Sequence, residues 1–126
     1  MMWQTLLIIG TGSFVGGVLR FLTSKFIQNT ALSAFPYGTF VVNIAGCLLI
    51  GFLYGISVRD NLLSPEWRMF LTVGFCGGFT TFSTFINENA ALLRDGDFYH
   101  FAFYTGLSIF LGLMATFLGN FITKMF

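Results

Sequence analysis

The chain has 126 residues, of which 56% are hydrophobic and 9% charged, and its formal net charge is +1. Soluble domains carry about 25% charged residues and need them to cover their surface. A soluble globular protein, a disordered chain and a basic nucleic-acid binder are therefore excluded, and a chain embedded in the lipid bilayer remains.

A spanning helix needs roughly 20 apolar residues to cross about 30 Å of hydrocarbon, so a chain of this length holds about four of them joined by short turns. Residues 1–126 are expected to form a single four-helix transmembrane domain, with helices over about 3–27, 37–58, 65–93 and 98–123. The first block, from Trp3 to Ile27, lacks a basic start and runs past the length of a signal-peptide core, so it is expected to stay in the mature protein. Its Gly12 and Gly16 make a small-xxx-small pair that permits close helix contact. Arg20, late in the block, either snorkels or stands at a vestibule. Gln28, Asn29, Thr30, Ser33 and Pro36 then form a polar connection, with Pro36 suited to the start of the next helix.

In the second block, Tyr37 to Val58, Asn43 stands between Val42 and Ile44. A buried amide must be satisfied, so Asn43 either ties helices together or offers its NH₂ to a ligand. Gly51 and Gly55 form a second small pair. Cys47 and Cys76 both fall in apolar runs and read as buried small hydrophobes rather than redox groups. After Arg59, Asp60 and Asn61, Ser64 is a candidate N-cap, Pro65 the first helical residue and Glu66 a first-turn acid that suits the helix dipole.

The third block carries Gly74-Phe75-Cys76-Gly77-Gly78-Phe79-Thr80-Thr81-Phe82-Ser83-Thr84-Phe85. Each glycine costs about 1 kcal/mol of helix propensity against alanine. The paired glycines before Thr80 and Thr81 predict a broken helix, against the alternative of a kink with hydroxyls bonded back to the preceding turn. A break at membrane depth frees carbonyls, which are natural cation ligands. Phe79, Phe82 and Phe85 recur every three residues, as on one helical stripe. Such rings either pack or present positive edges to a small anion. Glu88 is the one carboxylate expected at depth, and an intramembrane acid is a functional candidate.

Arg94-Asp95-Gly96-Asp97 predicts a tight turn, with Gly96 left-handed and Asp97 capping the fourth helix. In that helix Tyr104, Ser108, Gly112, Thr116 and Asn120 repeat every four residues. The stripe either hands an anion along or hydrogen-bonds to neighbouring helices. His100 lies near an interface, where it is expected to be inert. No metal cluster, nucleophile–base pair or phosphate loop is present, so an enzyme is not expected.

Short connections force antiparallel neighbours and put both termini on one side. That side carries Arg59, Arg68 and Lys124, and the other carries Arg20, Lys25 and Arg94. Three against three gives no orientation by the positive-inside rule. Either a partner sets the direction of insertion, or the chain inserts both ways and pairs antiparallel. With no internal repeat, an inverted repeat would have to come from a second copy.

The run from Gly77 to Phe85, the Gly38-Thr39…Asn43 stretch and Arg20 in Gly-Gly-Val-Leu-Arg together resemble the Fluc (CrcB) fluoride channels of bacteria, over the whole chain. The resemblance implies an all-α membrane protein with a broken third helix, forming an antiparallel dual-topology homodimer with two fluoride pores. It implies passive export of fluoride across the bacterial inner membrane. Phe82, Phe85 and Asn43 match the family's pore residues, with Tyr104, Ser108 and Thr116 on the polar track, Glu88 beside the pore and Thr81, Ser83 and Arg20 along the route. The Gly77 and Thr80 carbonyls match a structural sodium site at the dimer interface. Ile86 and Gly112 depart from the family's hydroxyls, which implies a track interrupted on that side, with slower conduction or a water beside Gly112. The rival readings are a four-helix proton-coupled multidrug exporter, which would need an acid deep in the first helix where this chain has none, and a non-transporting membrane scaffold.

Overall fold

The computed structural model describes residues 2–31, 35–58 and 63–125; Ser33 of the first connection and Arg59, Asp60 and Asn61 of the second lie outside the described residues. Among the described residues, four helical runs are long and apolar enough to cross a membrane: Met2–Ala31, Tyr37–Ser57, Pro65–Arg94 and Phe98–Thr123. The first is α1 (Met2–Ala31) and the second is α2 (Tyr37–Val58). The third span is composite: α3 (Pro65–Met69), a π-helical stretch (Phe70–Cys76), the short α4 (Gly77–Phe79), a break, and α5 (Ser83–Arg94). The fourth is α6 (Phe98–Thr123).

The ends of these helices have chemical causes. Ser64 caps α3 by accepting the Trp67 N–H at 3.3 Å, with Pro65 at the first helical position. Gly96 takes φ +74°, open to glycine without strain, and ends α5. Asp97 Oδ1 then accepts the His100 N–H at 3.2 Å and starts α6. Between α1 and α2 the clamp is Gln28, whose Nε2 donates to the Phe35 carbonyl at 3.2 Å while its Oε1 accepts the Gly38 N–H at 3.1 Å.

Lipid supplies no hydrophobic drive between helices, so the spans associate through close backbone approach. Two seams dominate, α1 against the first half of the third span and α2 against α6. A Cβ added at Gly16 would stand 2.2 Å from the Phe75 carbonyl oxygen, and one at Gly51 2.2 Å from the Thr116 carbonyl oxygen. At Gly119 it would lie 2.4 Å from the Leu48 carbonyl oxygen. Both glycine pairs of the sequence therefore pack within the chain. Each seam joins helices running the same way: Gly12 meets Phe70 and Gly16 meets Phe75, while Gly51 meets Thr116 and Gly55 meets Thr123.

The largest wholly buried side chains are Tyr104 and Val42. Tyr104 belongs to a small aromatic cluster with Phe35, Phe85 and Leu92, located where α2, α5 and α6 meet. Elsewhere large apolar side chains point outward, among them Trp3, Phe14, Phe26, Phe110 and Phe117, as suits a surface solvated by acyl chains.

Candidate functional site

The site is built on the break in the third span. Thr80 leaves the helix at φ −91°, ψ 160°, and its N–H and its Oγ1 both donate to the Cys76 carbonyl, at 3.0 Å and 2.9 Å. The next peptide is held from α2. Asn43 Oδ1 accepts the Thr81 N–H at 2.8 Å, and its Nδ2 donates to the Thr81 carbonyl at 3.1 Å. Because the backbone of Thr81 offers one donor and one acceptor, this pairing fixes which way the amide points. Asn43 is thus helix glue at a particular place: it stands in for a strand neighbour to Thr81, the residue after extended Thr80.

Thr81 Oγ1 accepts the Thr84 N–H at 3.3 Å, three residues on, and so caps the restarted helix. A hydroxyl used as an acceptor keeps its own hydrogen for donation. The break has a consequence for two carbonyls. In a continuous helix the N–H of Thr81 would bond to Gly77 and the N–H of Thr84 to Thr80. Here Asn43 and the Thr81 side chain take those donors. Gly77 is exposed and Thr80 half-buried.

The break also separates the phenylalanines. Phe79 stacks on Phe75, with ring centroids 5.6 Å apart and planes 12° apart, away from the other two. Phe82 is 74% exposed, whereas Phe85 is 8% exposed. Their centroids are 6.1 Å apart, and Phe85 packs on Tyr104 at 4.9 Å. The three-residue rhythm would make one stripe only in a continuous helix. Ser83, beside Phe82, is exposed at the start of α5.

Glu88 is fully engaged. Tyr104 donates its hydroxyl to Oε1 at 2.8 Å, and Thr39 donates to Oε2 at 3.0 Å, so one carboxylate ties α5 to α2 and α6. Next to it, Asn89 Nδ2 donates to the Phe85 carbonyl at 3.1 Å while its Oδ1 accepts from Thr105 of α6 at 3.1 Å. The sequence reading gave no role to Thr39, Asn89 or Thr105. Thr39 lies four residues before Asn43 and Asn89 four after Phe85, so helical spacing from the named residues would have found two of them.

A cavity of about 450 Å³ opens beside the break. It brings together Asn43, Gly77, Thr80, Thr81, Phe82, Phe85 and Ser108 from three spans, with Gly46, Cys47, Ile50, Thr72, Cys76 and Ile109 completing its walls. No charged side chain is among them. Ser108 Oγ is buried and has no hydrogen-bond partner among the described residues, although such a group normally finds one. The other candidates lie outside the walls. Arg20 Nε donates to the Gly78 carbonyl at 3.2 Å, which puts a cation on the α1 side of the break. Thr116 donates to the Cys47 carbonyl at 3.1 Å and so spends its hydroxyl on the α2–α6 seam. Beside buried Gly112, Cys47 Sγ lies 3.4 Å from where a Cβ would stand, and Ile86 is 47% exposed.

Residues 7–120 match the family described as CrcB-like protein, Camphor Resistance (CrcB). The chain belongs to this family. A protein of Flavobacterium psychrophilum, named fluoride-specific ion channel FluC, is 48% identical over 121 residues, covering 96% of this chain and 98% of its own. A Bacteroides fragilis protein of the same name is 49% identical over 126 residues, covering 98% of both chains, and one from Chlorobium phaeobacteroides is 43% identical over 123 residues, covering 98% of this chain and 95% of its own. With four apolar spans and bacterial relatives of full length, the CrcB-family chain is a multi-pass protein of the bacterial inner membrane.

Proposed function

We propose that the chain is a passive, fluoride-selective channel that exports cytoplasmic fluoride as an antiparallel dual-topology homodimer with two pores. The reading is supported by full-length relatives named as fluoride channels. The observation that carries it is the buried Ser108 hydroxyl, without a partner among the described residues, in a cavity without charge beside Phe82 and Phe85. A small anion satisfies that donor. Phenyl edges add positive quadrupole without a fixed cation, so the ion is held weakly enough to leave as readily as it enters.

The other residues shape the route. Asn43 holds the Thr81 peptide, which leaves the Thr81 hydroxyl hydrogen available, and Ser83 stands at the exposed mouth. Glu88 keeps both carboxylate oxygens on Thr39 and Tyr104, so its charge is held off the path. Arg20 attracts anions towards the vestibule, and Thr116 fixes α6 against α2. Protonated fluoride is neutral and diffuses into cells from acid surroundings; it ionises inside, and the negative membrane potential drives the anion out through a passive pore.

The dimer is supported by the balanced charges and by Phe82, whose 74% exposure a second copy would cover. An antiparallel pair supplies the inverted repeat that one chain lacks. The Gly77 and Thr80 carbonyls, relieved of their helical donors, suit sodium, a hard cation that prefers oxygen ligands. Two copies about a two-fold axis would present both pairs, and the ion's charge would hold the broken segments together without being transported.

The test is fluoride efflux from proteoliposomes, followed with a fluoride electrode, with chloride as competitor and with sodium replaced. Fluoride should leave without a proton gradient, and chloride should neither cross nor compete. Orientation is read in native inner-membrane vesicles by protease access to a tag on one terminus. Access to about half of the chains is expected, and a single uniform orientation would sink the antiparallel dimer.

A further inference from the structure

Cys47 and Cys76 stand on different spans and open on the same cavity. α2 and the third span run antiparallel here, since Thr39 meets Glu88, Asn43 meets Thr81 and Gly46 meets Thr80. That register brings Cys47, one residue after Gly46, to the level of Cys76, one turn before Thr80. Cys76 is 3% exposed and Cys47 half-buried, and both are free thiols. No cluster of three or more His, Cys, Asp or Glu side chains is found among the described residues, so the two thiols are without a third such ligand.

We infer that Cys47 and Cys76 form a two-thiol site for a soft divalent cation of the mercuric kind, set in the wall of the cavity. Thiolates favour soft metals. The Cys47 sulfur, which lies beside Gly112 of α6, and the Cys76 thiol of the third span share the cavity wall, and two sulfurs suit an ion content with two ligands, not zinc, which takes four. Charge decides between the soft ions. A mercuric ion displaces one proton from each thiol, so two S–H bonds break, two S–Hg bonds form, and both protons pass to solvent with no change of oxidation state. The product is neutral. A cuprous or silver ion bound in the same way would leave a net negative charge in an apolar wall, which is costly to bury. Because Asn43, Phe82 and Ser108 line the same cavity, the bound metal narrows the space that the proposed function assigns to fluoride; this last step rests on that reading.

The experiment titrates the reconstituted protein with mercuric chloride and reads three signals. Native mass spectrometry should give one mercury per chain, and a mercury–thiolate absorbance should rise in parallel. Fluoride efflux should fall relative to each protein's own untreated rate. Removing either sulfur in Cys47→Ser or Cys76→Ser should weaken binding by about a hundredfold, because the second bond is made at high effective concentration. Where Cys76→Ser does not assemble, Cys76→Ala makes the same removal. Two mercuries per chain, or single variants that bind as tightly as the parent, would overturn the bridged site. Binding with undiminished efflux would leave the site standing and place the ion's route elsewhere. Absence of binding together with normal efflux would overturn the site and leave the channel reading intact.

Discussion

The two glycine seams and the break in the third span solve opposite problems. At the seams, backbone lies on backbone: Gly16 on Phe75 and Gly51 on Thr116, so close that a single methyl would meet a carbonyl oxygen. Every helical hydrogen bond can stay internal there, and the contact is made of shape alone. At the break, the helix gives up its own bonding at the Thr81 N–H and carbonyl and is repaired there from outside by one amide, Asn43. The seams tolerate no side chain and the break depends on one. Irregular backbone at membrane depth survives only where protein satisfies it, and the stiff seams hold α2 close enough for Asn43 to do so.

The largest effect should come from breaking a seam. In Gly51→Val the new side chain would have to displace the backbone of α6, since the facing atom is a carbonyl oxygen 2.2 Å from the Cβ position. Overpacking of this kind costs about 3 kcal/mol, and the variant should fail to give a monodisperse assembled protein on size-exclusion chromatography. Gly106→Ala, where nothing lies within 4 Å of the added Cβ, should assemble normally. Equal behaviour of the two would mean that close approach does not hold the seam.

Breaking the repair comes next. Asn43→Asp keeps the acceptor for the Thr81 N–H and loses the donor to its carbonyl. An orphaned buried carbonyl costs about 2 kcal/mol, and the new negative charge faces an anion's path. Efflux should fall about a hundredfold or more, the equivalent of 2.7 kcal/mol, with assembly retained. Phe82→Ile removes a ring edge from a residue that the single chain leaves 74% exposed. It should lower efflux strongly with little change in the stability of the isolated chain.

How much of this was legible in the sequence differs between the two regions. The seams were half visible: the small-xxx-small pairs announced close contact, but that both would be spent within one chain depends on each helix meeting the span after next, which no local pattern encodes. The helix ends at Ser64-Pro65 and Gly96-Asp97 were readable because capping is a matter of neighbours. The break was readable from Gly77-Gly78 followed by two β-branched residues. The π-helical turn before it was not. There the Gly77 N–H reaches the Thr72 carbonyl five residues back, and Gly74, the one glycine in Phe70–Cys76, marks a weak point in the helix without saying that the bonding shifts to five residues. The stripe on α6 misled in part, since its regular spacing hides different partners: Tyr104 on Glu88, Thr116 on the Cys47 carbonyl, and for Ser108 none among the described residues. Periodicity places residues on a face; the neighbouring helices decide what each one meets.

That difference within one stripe sharpens the contrast at smaller amplitude. Ser108→Ala deletes a hydroxyl that makes no bond among the described residues, so thermal stability should hold while efflux falls by about tenfold, as for one hydrogen bond of about 1.4 kcal/mol to the passing ion. Thr116→Val deletes one that bridges α2 and α6, and should lower stability by about 1 kcal/mol with a smaller loss of efflux. The two variants should thus separate on a plot of melting temperature against flux. A common line would mean that Ser108 is a packing residue.

The smallest effect lies outside the bilayer, at the cap of α6. Asp97 accepts from the His100 backbone N–H through Oδ1 and meets His100 Nδ1 through Oδ2 at 2.7 Å. The side-chain bond from His100, aided by the backbone bond, holds the Asp97 carboxyl below its ordinary value of 3.8. A carboxyl lowered in the folded state binds its proton more readily when unfolded. Its contribution is therefore complete above the ordinary value and is lost as pH falls through the lowered one. Asp97→Asn keeps a capping oxygen but removes the titration. The melting temperature of the parent should exceed that of the variant from neutrality down to a pH of about 4, and the gap should close in more acid solution. Because the carboxyl is open to water, salt should shrink the gap as well. A gap that stays constant with pH would show that Asp97 acts through its shape and not its charge, so that the cap, like the seams and unlike the break, is held by geometry.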